Sequence, residues 1–330
     1  MSEPRIDRPI TLTFQGDWGQ ANLHRICGWL TQEVGDRCAP GSEFFIRSGR
    51  GGADAIDAVL SGDVDMALMT PTVAMEMVKA GVGPLTVDGA DRLRALGTLP
   101  QRDRVVTCVD AQLGVSSMTE LAGRQADLRI ATSPDDGVNL IGLVAHRQLR
   151  ALGIDPASVR AAGGTFHYHE RPFTAISDFR NGTANVLIHE AIMMPAWQRL
   201  AENRHVVYLD APQVVLERFA EWRWPSAVVP QGYLPELDHN LTAIEFSDFL
   251  MLCTEDLTDD VAALIAWCAV ATRGALEVQY HHFAPDRSPL TYPLEPQAIA
   301  SAPIALHPSA AATYAAMQHD EQPAQTLIWA

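Results

Sequence analysis

Two stretches of the chain share one order of apolar and polar positions. AIDAVLSGDVDMAL (55–68) and AISDFRNGTANVLI (175–188) each start with apolar residues spaced for one helix face, then pass through a glycine turn into an apolar run. Gly62 and Gly182 fall where the C-terminus of a helix favours a positive φ angle. Each copy therefore predicts a helix followed by a strand, and the repetition predicts two related lobes facing one another.

Predicted strands and helices alternate along the chain. Apolar runs at 9–14, 44–47 and 64–69 are separated by helical patterns, the longest at 20–34. The repeat strands have no strict alternation of apolar and polar residues, as expected when helices cover both faces of a sheet. The sequence predicts an α/β fold of two lobes, each a mostly parallel sheet flanked by helices.

The order of these elements suggests where the lobes divide. The apolar segment and helical pattern after residue 246 are expected to return to the first lobe, which makes that lobe discontinuous. We expect lobe I to contain residues 1–101 and 246–330, and lobe II to contain residues 102–245. Hinges are expected near 100–104 and 240–250.

Composition limits the possible partners and chemistry. The chain of 330 residues carries 40 acidic and 24 basic residues, and its net charge of −16 opposes binding to nucleic acid or an anionic membrane. No run of apolar residues is long enough for membrane insertion. The five cysteines show no CxxC spacing, so reduced thiols are expected rather than a zinc or disulfide framework. Motifs for nucleotide chemistry and serine hydrolysis are absent from the sequence, and no cofactor is expected.

The N-terminal segment bears on the cellular compartment. MSEPRIDRPITLTFQG carries charges and two prolines where a signal peptide requires an apolar run. We therefore expect a cytoplasmic location for the chain as written. A periplasmic location is the alternative if a leader has been removed.

Loops at the carboxyl ends of the predicted parallel strands should converge on the crevice between the lobes. The candidate ligand-binding residues in these loops are Asp17, Trp18, Ser48, Arg50, Thr70, Ser133, Asp135, Asp136 and His189. Arg50 is the favoured anion partner because its guanidinium can hold a carboxylate through two bonds, although an exposed position on a flexible glycine loop is an equal alternative. Trp18 is suited either to stacking on a planar ligand or to packing on the opposite lobe.

Histidines and a glutamate form a second set of candidates. His189 and Glu190 end the second repeat strand, where at most one side chain enters the crevice directly because adjacent strand residues point to opposite faces. His167 and His169 would share one face of an extended segment, a spacing that a metal can use, but a hydrogen-bonded loop is favoured and no metal is expected. His189, Glu190 and His169 are catalytic candidates only if the protein is an enzyme.

The sequence resembles the TAXI solute receptors, the binding-protein components of one branch of TRAP transporters. Four segments carry the resemblance in the family's order: RSGRGGADAIDAVLSGDVDMALM, LRALGTLPQRDRVVTCVDAQLGVSSMTELAGRQADLRIATS, AISDFRNGTANVLI and IALHPSAAATY. The resemblance implies the type II periplasmic-binding-protein fold, a small carboxylate held in the cleft by backbone N–H groups, hinge closure, and membrane subunits of a transporter as partners.

The candidate loops depart from the family pattern in their charge. Asp135 and Asp136 would repel a ligand carboxylate unless each caps a helix, and capping is the favoured interpretation for Asp136. The loop after the first strand, at 16–19, carries an aspartate and a tryptophan where the family has small residues. Asp17, His169, His189 and Glu190 give the predicted crevice more ionisable residues than a binding protein needs, which is a point in favour of an enzyme.

Two functions are therefore compared. The favoured one is a solute-binding protein that clamps a small polar, carboxylate-bearing metabolite without turnover. The alternative is a cytoplasmic lyase of decarboxylase or dehydratase type on the same scaffold, by analogy with dihydroxyphthalate decarboxylases and chorismate dehydratase. In that case Arg50 would hold a ring carboxylate and His189 or Glu190 would move the proton. A cytoplasmic ligand sensor is a third possibility.

Overall fold

A computed structural model describes residues 3–17, 22–192 and 195–319. Its strands are β1 (Thr11–Asp17), β2 (Glu43–Gly49), β3 (Met66–Met69), β4 (Leu93–Leu99), β5 (Arg104–Asp110), β6 (Arg129–Thr132), β7 (Thr165–Tyr168), β8 (Val186–Glu190), β9 (Val206–Leu209), β10 (Ser226–Val229), β11 (Leu241–Glu245) and β12 (Phe249–Thr254).

The α-helices are α1 (Asn22–Gly35), α2 (Asp54–Leu60), α3 (Val73–Ala80), α4 (Leu140–Ala151), α5 (Pro156–Ala162), α6 (Pro172–Arg180), α7 (Gln213–Ala220), α8 (Asp259–Ala271), α9 (Arg273–Glu277), α10 (Pro296–Ile299) and α11 (Pro308–His319). Short 3₁₀ segments lie at Ala90–Arg92, Ala111–Leu113, Met118–Asp127, Pro195–Glu202 and Val278–Tyr280.

The strands form two sheets with helices around them. The first sheet has the order β2-β1-β3-β12-β4, and the second has the order β10-β11-β5-β8-β6-β7, with β9 also paired to β5. The chain passes from the first sheet to the second between β4 and β5, and it returns between β11 and β12. The prediction of an α/β fold with two helix-flanked sheets is confirmed.

Strand direction corrects one part of that prediction, because the sheets are mixed rather than mostly parallel. Strands β2, β1 and β3 are parallel, as are β7, β6 and β8. In contrast, β12 is antiparallel to both β3 and β4, and β5 is antiparallel to β8, β9 and β11. Strands β5 and β12 enter each sheet from the other one. No crossover helix precedes them to impose a parallel direction.

The two sequence repeats occupy corresponding places in the two sheets. The first copy forms α2 and β3, and the second forms α6 and β8. Each repeat strand lies beside the middle strand of a parallel trio, which is β1 in the first sheet and β6 in the second. Gly62 and Gly182 have φ angles of +74° and +81°, as predicted for the turns. The repeat is therefore structural as well as sequential.

Two strands and one helix differ in extent from the sequence prediction, and the strands are described first. Strand β1 continues to Asp17, so Gln15 and Gly16 are strand residues rather than loop residues. The prolines at 225, 230 and 235 predict a return loop over 224–240, but strand β10 lies within that segment. The backbone of β10 pairs with β11, and no pattern in the local sequence indicates this pairing.

The helix expected over 259–278 is interrupted at Thr272, whose φ and ψ angles of −109° and 9° are not helical. It forms α8 and then α9 instead. Within the described ranges no single helix is long and apolar enough to cross a membrane. By length and composition alone, the bent pair Asp259–Ala271 and Arg273–Tyr280, with a 60° bend, could do so.

Apolar side chains join the sheets to their helices and to one another. One buried cluster covers one face of the first sheet and includes Phe14 of β1 and Leu264 of α8. Another extends over both sheets and includes Leu250 of β12 and Val144 of α4. Both sheets therefore share a continuous apolar core, which fixes the loops at their strand ends.

Candidate functional site

Loops from the two sheets meet at one place, which we call the crevice contact. Ala53, between β2 and α2, donates its backbone N–H to the Val138 carbonyl beyond β6 at 3.1 Å. The Arg50 guanidinium donates through Nε to Glu170 Oε1, after β7, and through Nη2 to Asp136 Oδ2, each at 2.5 Å. The carboxyl ends of parallel strands from both sheets thus face one another, the arrangement expected of a ligand crevice.

The backbone of the first-sheet loop is held by a carboxylate. Asp54 Oδ2, in the first turn of α2, accepts the Arg50 N–H at 2.8 Å and the Gln15 Nε2 at 3.1 Å. Gly52 has a φ angle of +59°, and a Cβ there would overlap the Val138 carbonyl. Only glycine combines this conformation with so close an approach of the opposite loop.

Arg50 pairs with two protein carboxylates. Its hydrogen bonds with Glu170, and then with Asp136, raise the pKa of the guanidinium above its ordinary value. The side chain is still 46 % exposed, so water screens these pairs. The sequence predicted a ligand carboxylate as its partner, and the structure places two acids from the second sheet there.

Asp136 organises its own loop. Its Oδ1 accepts the backbone N–H groups of Val138 at 3.0 Å and Asn139 at 2.9 Å. Partial burial acts to raise the pKa of this carboxyl, but the hydrogen bonds from Asn139 and Arg50 outweigh burial and hold the pKa below its ordinary value. The capping residue of α4 itself is Asn139, whose Oδ1 accepts the Gly142 N–H at 3.0 Å. Asp136 therefore caps the turn before α4 rather than the helix.

The remaining acid of this loop, Asp135, pairs with Arg150 Nη1 at 2.9 Å. Arg150 lies near the C-terminal end of α4, in the same half of the molecule. Both acids that would repel an anion thus have partners within the protein. The repulsion that an anion would meet from these two carboxylates is therefore weaker than it would be without the arginines.

His189 and Ser133 lie beneath the crevice rather than on its surface. Both residues are 0 % exposed. His189 Nδ1 accepts the N–H of Glu190 at 3.0 Å, and Nε2 lies 3.3 Å from Ser133 Oγ, which fixes a neutral ring that donates through Nε2. Burial, and to a lesser degree His169, lowers the pKa of His189 to about 3. The ring is therefore uncharged at neutral pH, and Glu190 beside it is also buried.

His167 and His169 share one face, as predicted for an extended segment. His169 Nε2 is 2.7 Å from Asp178 Oδ2 on α6, and His167 Nδ1 is 3.9 Å from the same oxygen. Among the described residues, no group of three or more His, Cys, Asp or Glu side chains is placed to hold a metal. His169 is therefore hydrogen-bonded to Asp178, whereas the ring of His167 lies within hydrogen-bond distance of Thr165, with Nε2 3.1 Å from Oγ1.

Thr70 belongs to the crossings between the sheets. Its Oγ1 accepts a hydrogen bond from Gln101 Nε2 at 3.1 Å, and the same nitrogen donates to the Phe246 carbonyl at 3.0 Å. Gln101 lies in the outgoing crossing and Phe246 in the returning one. Thr70 is thus tied to both crossings at the base of the crevice.

Asp103, in the outgoing crossing, is a residue that the sequence analysis did not single out. It is 0 % exposed, and its Oδ1 accepts the N–H groups of Ala191 at 3.0 Å and Ile192 at 2.8 Å. A crossing between the sheets thereby holds the loop that follows β8. The signal in the sequence was a run of polar residues, PQRDR, between two apolar strands.

Three candidates remain. Ser48 is exposed near the end of the edge strand β2. Asp17 ends β1, and its side chain lies outside the described part of the chain. Trp18 also lies outside the described residues.

Comparison with known proteins gives a fold and no sequence family. No family model and no curated protein matches the sequence. Among solved structures, MatC (Rpa3494) from Rhodopseudomonas palustris with bound malate is 12 % identical, covers 94 % of this chain and 98 % of its own, and has a TM-score of 0.51. R. palustris Rpa4515 with adipate is 14 % identical, with 94 % and 95 % coverage and a TM-score of 0.49. The chain therefore has the two-lobed periplasmic-binding-protein fold.

Proposed function

We propose that the protein is a solute-binding protein that clamps a small carboxylate-bearing metabolite in the crevice between its lobes without turning it over. The observation that carries this proposal is the crevice contact, where strand-end loops from both sheets meet. In this account lobe I consists of residues 1–101 and 246–330, lobe II consists of residues 102–245, and the crossings at 100–104 and 240–250 are the hinges. Closure of the lobes would exclude water from the ligand.

The ligand class is supported by chemistry and by fold. Loops that precede helices present backbone N–H groups, and such groups suit carboxylates. MatC, which shares the fold, was solved with malate. The polar groups at the crossings between the sheets include the half-buried Thr70 and the buried Gln101, whose neutral donors and acceptors suit a polar ligand rather than an apolar one.

A finer assignment to the TAXI receptors of TRAP transporters rests on the four sequence segments that resemble that family. It would make membrane subunits of a transporter the physiological partners and the periplasm the compartment. This assignment takes the periplasmic alternative and sets aside the cytoplasmic location expected from the N-terminal segment. Locating the tagged protein in fractionated native cells tests this assignment.

The lyase alternative has no observation in its favour. It requires His189 or Glu190 to exchange a proton with a ligand near neutral pH. Both residues are buried, and the ring nitrogens of His189 already face Glu190 and Ser133. A group with a pKa of about 3 is a weak base for that purpose.

A panel of matched compounds tests the proposal. The purified protein would be heated with malate, succinate, adipate and aromatic carboxylates, and with the corresponding amides, which keep the shape and lose the charge. We expect at least one carboxylate to raise the melting temperature while its amide does not. If no carboxylate is preferred over its amide, the proposed ligand class is wrong.

A further inference from the structure

Arg50 is the centre of a set of ionic contacts that cross from one sheet to the other. Its partners Asp136 and Glu170 lie 86 and 120 residues further along the chain, in loops of the second sheet. The backbone bond from Ala53 to Val138 crosses at the same place. These contacts can exist only while the two loops are in apposition.

A nearby arginine shows what an ordinary surface pair looks like here. Arg47, on strand β2 just before the loop that carries Arg50, pairs with Asp63 at 3.1 Å, and both belong to the first-sheet half of the chain. Its side chain is 47 % exposed, almost the same as the 46 % of Arg50. The two arginines thus differ in whether their ion pairs span the crevice and hardly at all in exposure.

We propose that Arg50, Asp136 and Glu170 form an interlobe latch that holds the lobes together when no ligand is bound. This inference rests on the proposed two-lobed clamp and concerns its regulation. In the ligand-free protein, the balance between open and closed lobes then depends on these ionic contacts. The latch assigns Arg50 to closure instead of to the ligand carboxylate.

The charges around Arg50 explain why the latch depends on that one side chain. The guanidinium pairs with Asp136 and Glu170, while Asp54 holds the Arg50 backbone. Without the guanidinium, the two second-sheet carboxylates would lose their cationic partner on the first sheet. Removing Arg50 therefore removes this attraction between the lobes, and salt should weaken the latch by screening.

The latch also has a consequence for ligand capture. A ligand must enter while the lobes are apart, so a latch that favours the closed empty form lowers the fraction of molecules ready to bind. Higher salt should therefore speed ligand association. The ligand-free protein is nevertheless the cleanest system for a test, because its lobe equilibrium does not depend on ligand identity.

Hydrogen exchange at the Ala53 amide measures the latch directly, because that N–H bonds across the crevice to Val138. The variants are Arg50→Gln, Glu170→Gln and the control Arg47→Gln, all at exposed sites and each checked for an unchanged fold by circular dichroism. Without ligand, we expect Ala53 to exchange about tenfold faster in Arg50→Gln and about threefold faster in Glu170→Gln, the range for exposed ion pairs. Arg47→Gln should match the wild type.

Two results would overturn the latch: unchanged Ala53 exchange in Arg50→Gln, or an equal increase in exchange in Arg47→Gln. If unchanged exchange in Arg50→Gln is accompanied by loss of carboxylate binding, Arg50 is a ligand residue and the proposed function stays intact. Failure of the wild type to bind any carboxylate would count against the proposed function alone, since the exchange measurement uses no ligand.

Discussion

His189 gives the sharpest prediction about stability because its ring is buried without charge. In the folded protein its pKa is about 3, lowered mainly by burial from the ordinary value of 6.5. When the pH falls below 6.5, the unfolded chain takes up a proton at this position and the folded chain does not. Proton uptake therefore lowers the free energy of the unfolded state on acidification, and folding stability must fall.

The magnitude follows from the two pKa values. Each pH unit between about 6.5 and 3 at which only the unfolded state is protonated removes about 1.4 kcal/mol from the free energy of unfolding. From pH 8 to pH 5 the expected loss from His189 is about 2 kcal/mol. His146 is also buried with a lowered pKa and should add a loss of the same sign.

The assay compares the wild type with His189→Gln, whose amide can still bond to Ser133 and has no charge to gain. Urea unfolding would be followed at several pH values from 8 to 5 for both proteins. Contributions from His146 and the carboxylates occur in both and cancel in the difference. The free energy of unfolding of the wild type, relative to that of His189→Gln, should fall by about 2 kcal/mol between pH 8 and pH 5. A difference that does not change with pH would refute the buried neutral ring.

Two further predictions concern the support of the crevice, and each has a control elsewhere in the chain. Gly142→Ala should destabilise by about 1–3 kcal/mol in thermal unfolding, because the new Cβ would overlap the Pro134 carbonyl. Gly28→Ala is the control, because a Cβ at that position meets no other atom. Its free energy of unfolding should rise by about 0.5–1 kcal/mol, since alanine favours a helix more than glycine does. Equal effects of the two substitutions would contradict the packing argument. Asp103→Asn should cost about 1.5–3 kcal/mol in urea unfolding, because a charged acceptor of backbone N–H groups is lost. Asp88 is exposed, so Asp88→Asn should leave the free energy of unfolding almost unchanged. A loss of stability as large as that of Asp103→Asn would contradict the role given to Asp103.

Local pattern was sufficient to predict much of the fold. The helix, glycine turn and strand of each repeat follow from spacing and from the φ angle that Gly62 and Gly182 supply, and those signals act over a few residues. The direction of β5 and β12 could not be predicted in this way. Their neighbours in the sheets are set by chain crossings between the two halves, and no periodicity records a crossing.

The candidate site was predictable in place and less so in chemistry. The sequence predicted that the loops around Arg50 and Asp136 would lie at the crevice between the lobes, and the structure joins these loops by an ion pair. The sequence could not show that Arg50 takes protein acids as partners, since Glu170 lies 120 residues away. Nor could it show that His189 is buried, because a histidine at a strand end fits a surface or an interior equally well.

The central claim is that the protein binds a small carboxylate in its crevice and releases it unchanged. The most direct measurement is native mass spectrometry of the wild-type protein incubated with the carboxylate that most raises its melting temperature, followed by analysis of the released compound. We predict one ligand for each chain, recovered with its mass unchanged after prolonged incubation. Absence of a complex, or release of a product that has lost carbon dioxide or water, would contradict the account.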